Sequence, residues 1–310
     1  MLDHAAKAFF HFLARRTTFQ KIAARYGMRG PTGFARRFIA GETVADAVAA
    51  ARAIEAAGLL HTLDYLGESV STLAEADAAT LEYRHVVDEI IRSGIERNLS
   101  LKLTQLGLDV DRACAVDNLR KILDRAEGFF VRIDMESSHY TDVTLDIFET
   151  LWSHGYQHMG VVLQADLYRT EKDAARVMAL GARVRLVKGA YNEPASIAYR
   201  KKADVDAAYL RLTRALLDAG NYPAIATHDP ALIQSARQYA EEHGIAKERF
   251  EFQMLYGIRR DLQRSLSEAG YHVRVYIPFG RQWFAYFMRR LGERPANVGF
   301  VIRGIVLENG

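Results

Sequence analysis

The chain has 310 residues, of which 49% are hydrophobic and 25% charged, with a formal net charge of +3; this is the composition of a globular protein with a core that needs no covalent staples. A single cysteine, Cys114, excludes an intrachain disulfide and a thiolate metal cluster and points to a reducing, cytoplasmic setting. The sequence shows neither a run of about 18 apolar residues nor a signal-peptide pattern, so neither a membrane span nor export is expected.

The charge is unevenly placed. Arg15, Arg16, Lys21, Arg25, Arg29, Arg36 and Arg37 crowd the first forty residues with almost no acid among them. The plainer account is a solvated helix face; the sharper one is peripheral contact with an anionic membrane surface. Nothing resembling a nucleic-acid motif accompanies the arm, and no nucleic-acid partner is expected.

Residues 4–26 and 45–57 read as helices joined by a stretch containing Gly30, Pro31, Gly33 and Gly41. From there short apolar or β-branched runs recur near 60–66, 99–104, 129–134, 159–164, 183–188, 223–227, 249–253 and 272–277. Amphipathic helical patterns lie between them, marked by Val86, Ile90 and Ile91, by Leu145, Phe148 and Leu151, and by Leu212, Ala215 and Leu216. Eight strands alternating with helices predict parallel pairing through right-handed crossovers. A closed (βα)8 TIM-like barrel is the simplest architecture, with 1–57 as an N-terminal helical arm and 58–310 as the catalytic barrel. A doubly wound open sheet would fit almost as well, but no G-x-G-x-x-G follows any of the strands, and the count of eight favours the barrel.

In a barrel the C-terminal strand ends converge on one mouth. Read on that basis, the ends carry Lys102, Asp134, Gln164, Arg185 with Lys188, Thr227 with His228, Gln253 and Tyr276. Any one of these is more often an exposed charge or a turn residue; the whole set at the same end of every strand is harder to dismiss. Gly189 after Lys188 lets a backbone approach a bulky ligand. On the last predicted helix, from about Gln282, Phe284, Phe287, Met288 and Leu291 form an apolar stripe, and Tyr286, Arg289, Arg290 and Glu293 share the opposite face. That face is either a solvated ion-pair surface or a pair of guanidinium groups gripping a carboxylate. Metal catalysis is not expected, because the ten histidines are scattered and no ligand spacing occurs. A Schiff-base lyase using Lys102 or Lys188 is a rival suited to the fold, and a basic-armed binding protein is a third reading.

Six strings carry a family resemblance: Leu-Lys-Leu-Thr at 101–104, Arg-Ile-Asp at 132–134, Arg-Leu-Val-Lys-Gly-Ala-Tyr at 185–191, Ala-Thr-His at 226–228, Glu-Phe-Gln at 251–253 and Ala-Tyr-x-x-Arg-Arg-Leu-x-Glu at 285–293. In this order they resemble the FAD-dependent proline dehydrogenases, monofunctional bacterial members included, from about residue 60 to 303. The resemblance implies a distorted barrel with the last helix packed over the mouth. It implies flavin contacts from Met135, Gln164, Arg185, Val187, Lys188, Gly189, Ala190, Thr227, His228 and Gln253, with Arg185 near the flavin's reactive nitrogen. Arg289 and Arg290 would bind the carboxylate of L-proline with Lys102 close by, Asp134 and Glu293 would orient these cations, and Tyr276 and Tyr286 would wall the ring. Asp134, Arg185 and Lys102 are thus the implied catalytic set. The implied reaction is hydride transfer from proline to FAD, giving Δ1-pyrroline-5-carboxylate, with a membrane quinone as electron acceptor and a pyrroline-5-carboxylate dehydrogenase as a candidate partner. A bulky Tyr276 favours proline over hydroxyproline, the substrate of a related branch of the family.

Overall fold

The structure, a computed structural model, describes residues 34–293, with side chains for 35–288. The expected helix at 4–26, the cations Arg15 to Arg29 and the tail beyond Glu293 lie outside the described residues. Eight parallel strands close into a barrel in sequence order. They are β1 (Leu60–Tyr65), β2 (Asn98–Leu101), β3 (Phe130–Ile133), β4 (Met159–Gln164), β5 (Arg183–Val187), β6 (Ala224–Ala226), β7 (Glu251–Leu255) and β8 (His272–Phe279). Closure is made by β1 and β8, paired from Leu60 opposite Arg274 to Tyr65 opposite Phe279.

The crossover helices form where the apolar periodicity predicts them, but two of the marking residues face water: Ile91 and Ala215 are exposed, while Val86, Ile90, Leu145, Phe148, Leu151, Leu212 and Leu216 are buried. The difference is the width of each buried stripe, which here excludes its flanking position. Starts are set by side-chain caps. In α1 (Val44–Ala56) and α2 (Leu73–Ser93), Thr43 with Asp46 and Thr72 with Glu75 form reciprocal capping boxes.

The placement of α1 shapes the molecule. Ala47 and Ala51 are fully buried in the barrel's outer core, and α1 packs beside β1 and β8, where a regular barrel carries its eighth helix. The chain just before it is lashed to the end of β8 by Ala40 N–H to the Pro278 carbonyl and Gly280 N–H to the Gly41 carbonyl, both 2.9 Å. The expected division at residue 57 therefore falls directly after a helix that belongs to the barrel wall. With that position filled, the last helix (Trp283–Glu293) seats Trp283, Tyr286, Phe287 and Met288 on Phe38, Ile39, Leu66 and Ile258. Leu66 and Ile258 follow the C-terminal ends of β1 and β7, so this helix lies at the mouth. Tyr286 is 7% exposed, so at this position the helix face that spacing left open between solvent and site is buried.

Inside the barrel, Gly160 on β4 makes room for a charge. A Cβ there would stand 2.5 Å from the Arg183 carbonyl, 2.7 Å from Arg132 Nη1 and 2.8 Å from Phe130 Cζ. The buried Arg132 guanidinium uses that space to donate to the carbonyls of Val161 (3.2 Å) and Arg183 (2.8 Å). Gly160→Ala is expected to cost about 1–3 kcal/mol by overpacking, read as a shifted denaturation midpoint at unchanged slope.

Candidate active site

Residues two apart on a strand point the same way, so each strand stacks its inward residues in layers. The lower layer is a closed ion network. Arg274 Nε donates to both oxygens of Glu251 at 2.9 and 3.0 Å, and Arg274 Nη1 donates to Glu96 at 2.7 Å and to the His61 carbonyl at 2.6 Å. One layer up, two residues further along β7 and β8, Gln253 and Tyr276 enter a second network centred on Arg185.

Arg185 is 5% exposed and donates in three directions. Its Nε reaches Gln253 Oε1 at 2.5 Å, Nη1 reaches Asp134 Oδ1 at 2.6 Å and Nη2 reaches Ser100 Oγ at 3.0 Å. Asp134 Oδ2 accepts from the Tyr276 hydroxyl at 2.8 Å, and the guanidinium lies 5.3 Å from the Tyr276 ring centroid. Lys102 Nζ donates to Asp64 at 3.0 and 3.3 Å and stands 3.9 Å from Asp134. Small residues on β6, Ala224 and Ala226, leave this space to the long side chains of the neighbouring strands.

Burial alone would lower the Lys102 pKa, but Asp64 and Asp134 outweigh it and hold the amine above its ordinary value, as an ammonium. Burial pushes the Asp64 carboxyl up, opposed by Lys102; the two bonds from Nζ favour the ion pair. Burial also drives the Tyr276 hydroxyl well above its usual range, so it remains a donor to Asp134.

A second group lines the rim over β3 to β6. Met135 is buried; Gln164 donates to the Glu136 carbonyl at 2.9 Å and lies in register with Val187. Lys188 Nζ is held by Asp206 at 2.6 Å and Asp229 at 3.1 Å. Gly189 has φ +116°, and a Cβ on it would fall 2.1 Å from the Asp166 carboxylate, so both conformation and space require glycine. Ala190 follows, exposed. Thr227 Oγ1 accepts from Asp229 N–H at 3.1 Å and His228 Nε2 accepts from Leu255 N–H at 2.9 Å.

The strand-end residues thus fall into an inner cluster (Lys102, Asp134, Arg185, Gln253, Tyr276) and a rim (Met135, Gln164, Val187, Lys188, Gly189, Ala190, Thr227, His228). Three placements differ from expectation. β7 and β8 run on to Leu255 and Phe279, which sets Gln253 and Tyr276 inside the barrel rather than at its edge. Gln253 braces Arg185 from below. Asp134 orients Arg185 and Tyr276 as well as standing near Lys102. Arg289, Arg290 and Glu293 belong to the last helix by backbone, and their side chains lie outside the described residues.

Sequence reasoning missed Asp64, Ser100 and Glu136. Asp64 had a readable signal, an acid inside the otherwise uncharged run Leu-His-Thr-Leu-Asp-Tyr; the other two had none. Among the described residues, no group of three His, Cys, Asp or Glu side chains is arranged to hold a metal, and no helix is long and apolar enough to cross a membrane.

Residues 47–303 match the family model described as Proline dehydrogenase. Proline dehydrogenase 1 of Bacillus subtilis (strain 168) is 42% identical over 308 residues, spanning 99% of both chains. Proline dehydrogenase of Deinococcus radiodurans is 44% identical over 278 residues, 88% of this chain and 90% of its own. Among solved structures, proline utilization A (PutA) from Bdellovibrio bacteriovorus, inactivated by N-propargylglycine, superposes with a TM-score of 0.78 at 24% identity, covering 92% of this chain and 38% of that one. At that identity the likeness concerns the fold.

Proposed function

Because the chain belongs to the proline dehydrogenase family, we propose that it oxidises L-proline to Δ1-pyrroline-5-carboxylate in proline degradation, with FAD as cofactor and a quinone as final electron acceptor. The observation that carries the reading is the Arg185–Asp134–Tyr276–Lys102 network set beneath the last helix.

The rim suits a flavin by the chemistry of its groups. It supplies an amide at Gln164, an ammonium at Lys188, a hydroxyl at Thr227, an imidazole at His228 and a side-chain-free backbone at Gly189. These residues, with Met135, Val187 and Ala190, would hold the cofactor. A bound flavin supplies a two-electron hydride acceptor.

The protein's own work is binding, orientation and charge. Arg289 and Arg290 bind the substrate carboxylate in this reading, with Glu293 orienting them, and their helix closes the mouth. The substrate amine must be neutral before hydride leaves the adjacent carbon. Lys102 and Arg185 lower its pKa by like-charge repulsion. Lys102 is already an ammonium clamped by Asp64, so the amine proton leaves to water and not to Lys102. Arg185 is braced on three sides, so its charge is fixed in place before reaction. Tyr276, pinned by Asp134, walls the space a ring hydroxyl would need, which favours proline over hydroxyproline.

The lyase rival needs a neutral, accessible amine, and Lys102 and Lys188 are each held by two carboxylates. In the cell the basic segment that includes Arg36 and Arg37 would face the inner surface of the cytoplasmic membrane, where the quinone resides, and a pyrroline-5-carboxylate dehydrogenase would receive the product. The test is direct. The purified protein should be yellow and bleach anaerobically with proline, much more slowly with hydroxyproline. A colourless protein that borohydride traps on a carbonyl substrate would sink the proposal.

A further inference from the structure

The mouth contains a buried carboxylate that the reaction does not use. Glu136 is 6% exposed and sits in the loop after β3, two residues beyond Asp134. Its Oε2 accepts from the Thr104 hydroxyl at 2.7 Å and its Oε1 from the Thr104 N–H at 3.3 Å. Thr104 is fully buried in the loop after β2, two residues beyond Lys102. The Thr104 hydroxyl accepts the Ser69 N–H at 3.0 Å, and its carbonyl accepts the Val70 N–H at 3.3 Å, both from the loop after β1. On the other side the Glu136 carbonyl takes the Gln164 amide of β4. Ser69 is held at φ +52°, a backbone conformation that a non-glycine residue keeps only when its surroundings impose it.

We propose that Glu136 is a positioning residue whose carboxylate stitches the loops after β1, β2 and β3 into one rim and so holds Lys102 and Asp134 in register for the substrate. The inference rests on the reading of Lys102 and Asp134 as substrate-side groups. The hydrogen inventory explains why a carboxylate is needed. The Thr104 hydroxyl already receives the Ser69 N–H, so its own hydrogen points at Glu136, as does the Thr104 N–H. Two converging donors match an ionised carboxylate, which only accepts. A proton on Oε2 reverses that link: the hydroxyl hydrogen must turn away from Glu136, and two charge-assisted bonds become weaker neutral ones.

That proton is within physiological reach. Burial pushes the Glu136 carboxyl up to about 7, against the Thr104 bonds and Lys102, and Glu68 adds to the upward push. The other titratable groups facing it are Tyr83 on α2 and Tyr140 in the turn after β3, both raised above their usual range and neutral here. Acidification through neutrality therefore weakens the local link between the loops, while it relieves the fold of a buried charge, and a substrate carboxylate loses part of its seat.

The test uses the flavin-loaded protein and tetrahydrofuran-2-carboxylate, a proline isostere whose ring oxygen carries no proton, so the ligand itself does not titrate. Its dissociation constant is measured calorimetrically between about pH 5.5 and about pH 8.5. Wild type should lose about tenfold in affinity on acidification, the scale of one charged hydrogen bond. Glu136→Gln, which places an N–H₂ or a neutral oxygen against Thr104, should bind with the acid-side constant at every pH. Thr104→Val, which removes the hydroxyl and keeps the shape, should show the same weakened binding at high pH and serves if the first variant melts early. A Glu136→Gln profile that parallels wild type overturns the role of Glu136 alone. Wild type that binds no such carboxylate at any pH removes the substrate reading, and this inference with it.

Discussion

Asp134→Ala is expected to lower kcat/KM for proline by about a hundredfold or more, while the protein still folds and still takes up flavin. The magnitude follows from what the carboxylate holds. Among the described residues it is the acid that touches Arg185, Tyr276 and Lys102 together, at 2.6, 2.8 and 3.9 Å. Losing one group that pre-organises charge at a reacting centre typically costs about 3–4 kcal/mol of barrier, and about 3 kcal/mol is a hundredfold in rate. The fold survives because Lys102 keeps Asp64, and Arg185 keeps Ser100 and Gln253. Asp134→Asn separates the two parts of the effect. If shape matters most, the amide recovers the Tyr276 contact and most of the rate; if charge balance does, it behaves like alanine. The charge account is the stronger, since two cations converge on Asp134. Steady-state kinetics of both variants, with flavin content measured alongside, decide it. A loss under tenfold for Asp134→Ala would show that this network is not the reacting centre.

The barrel was legible because its strands are buried on both sides and read as short apolar runs, and because parallel neighbours force a helix between them. The polar strand ends were legible for a related reason: Leu-Lys-Leu and Arg-Ile-Asp break an apolar run where it meets solvent or a site. Depth along the barrel axis was not legible. Period two fixes which residues face inward, whereas strand tilt and shear decide which of them share a layer. Gln253 and Tyr276 look like strand ends in sequence and lie inside the barrel, since β7 and β8 continue beyond them. Asp64 pairs with Lys102 across 38 residues of chain, a partnership that no local pattern encodes. Helical spacing alone left the face of Tyr286 open between solvent and site. Its burial comes from tertiary packing, because α1 occupies the usual place of the eighth helix and the last helix lies at the mouth.

The lower layer supplies the largest expected effect on stability. Glu251→Ala should cost ~4 kcal/mol and lower the melting temperature by about 8 °C or more. Three guanidinium groups, of Arg132, Arg185 and Arg274, lie buried in one barrel, and Glu251 is the buried carboxylate paired with Arg274 in the lower layer. Burial pushes Arg132 down, and Arg185 and Arg274 push it further, so the stack already repels itself. Arg274 is disfavoured by burial, but Glu251 and Glu96 outweigh that and hold it above its usual range. Without Glu251, Arg274 keeps the partly exposed Glu96 as its one ion-pair partner among the described residues. The pH dependence carries a sign. Burial raises the Glu251 pKa, but Arg274 and the hydrogen bonds of Arg274 and Gln253 pull it below the ordinary 4.5. A folded-state pKa below the unfolded one means stability that is present above about 4.5 and lost as pH falls through the folded value. Glu136 has the opposite sign: raised to about 7, it favours the folded state below 4.5 and that contribution is lost as pH rises through about 7. Melting curves across pH therefore separate the two. Wild type should lose stability on acidification through the carboxylate range, and Glu251→Ala should start lower and lose less there. Glu136→Gln should instead remove the decline on the neutral side. A double replacement, Glu251→Leu with Arg274→Met, should recover much of the loss, because an apolar pair of similar volume needs no compensation for desolvated charge. If Glu251→Ala shifts the melting temperature by less than about 2 °C, the cations of the barrel floor are balanced by something other than Glu251.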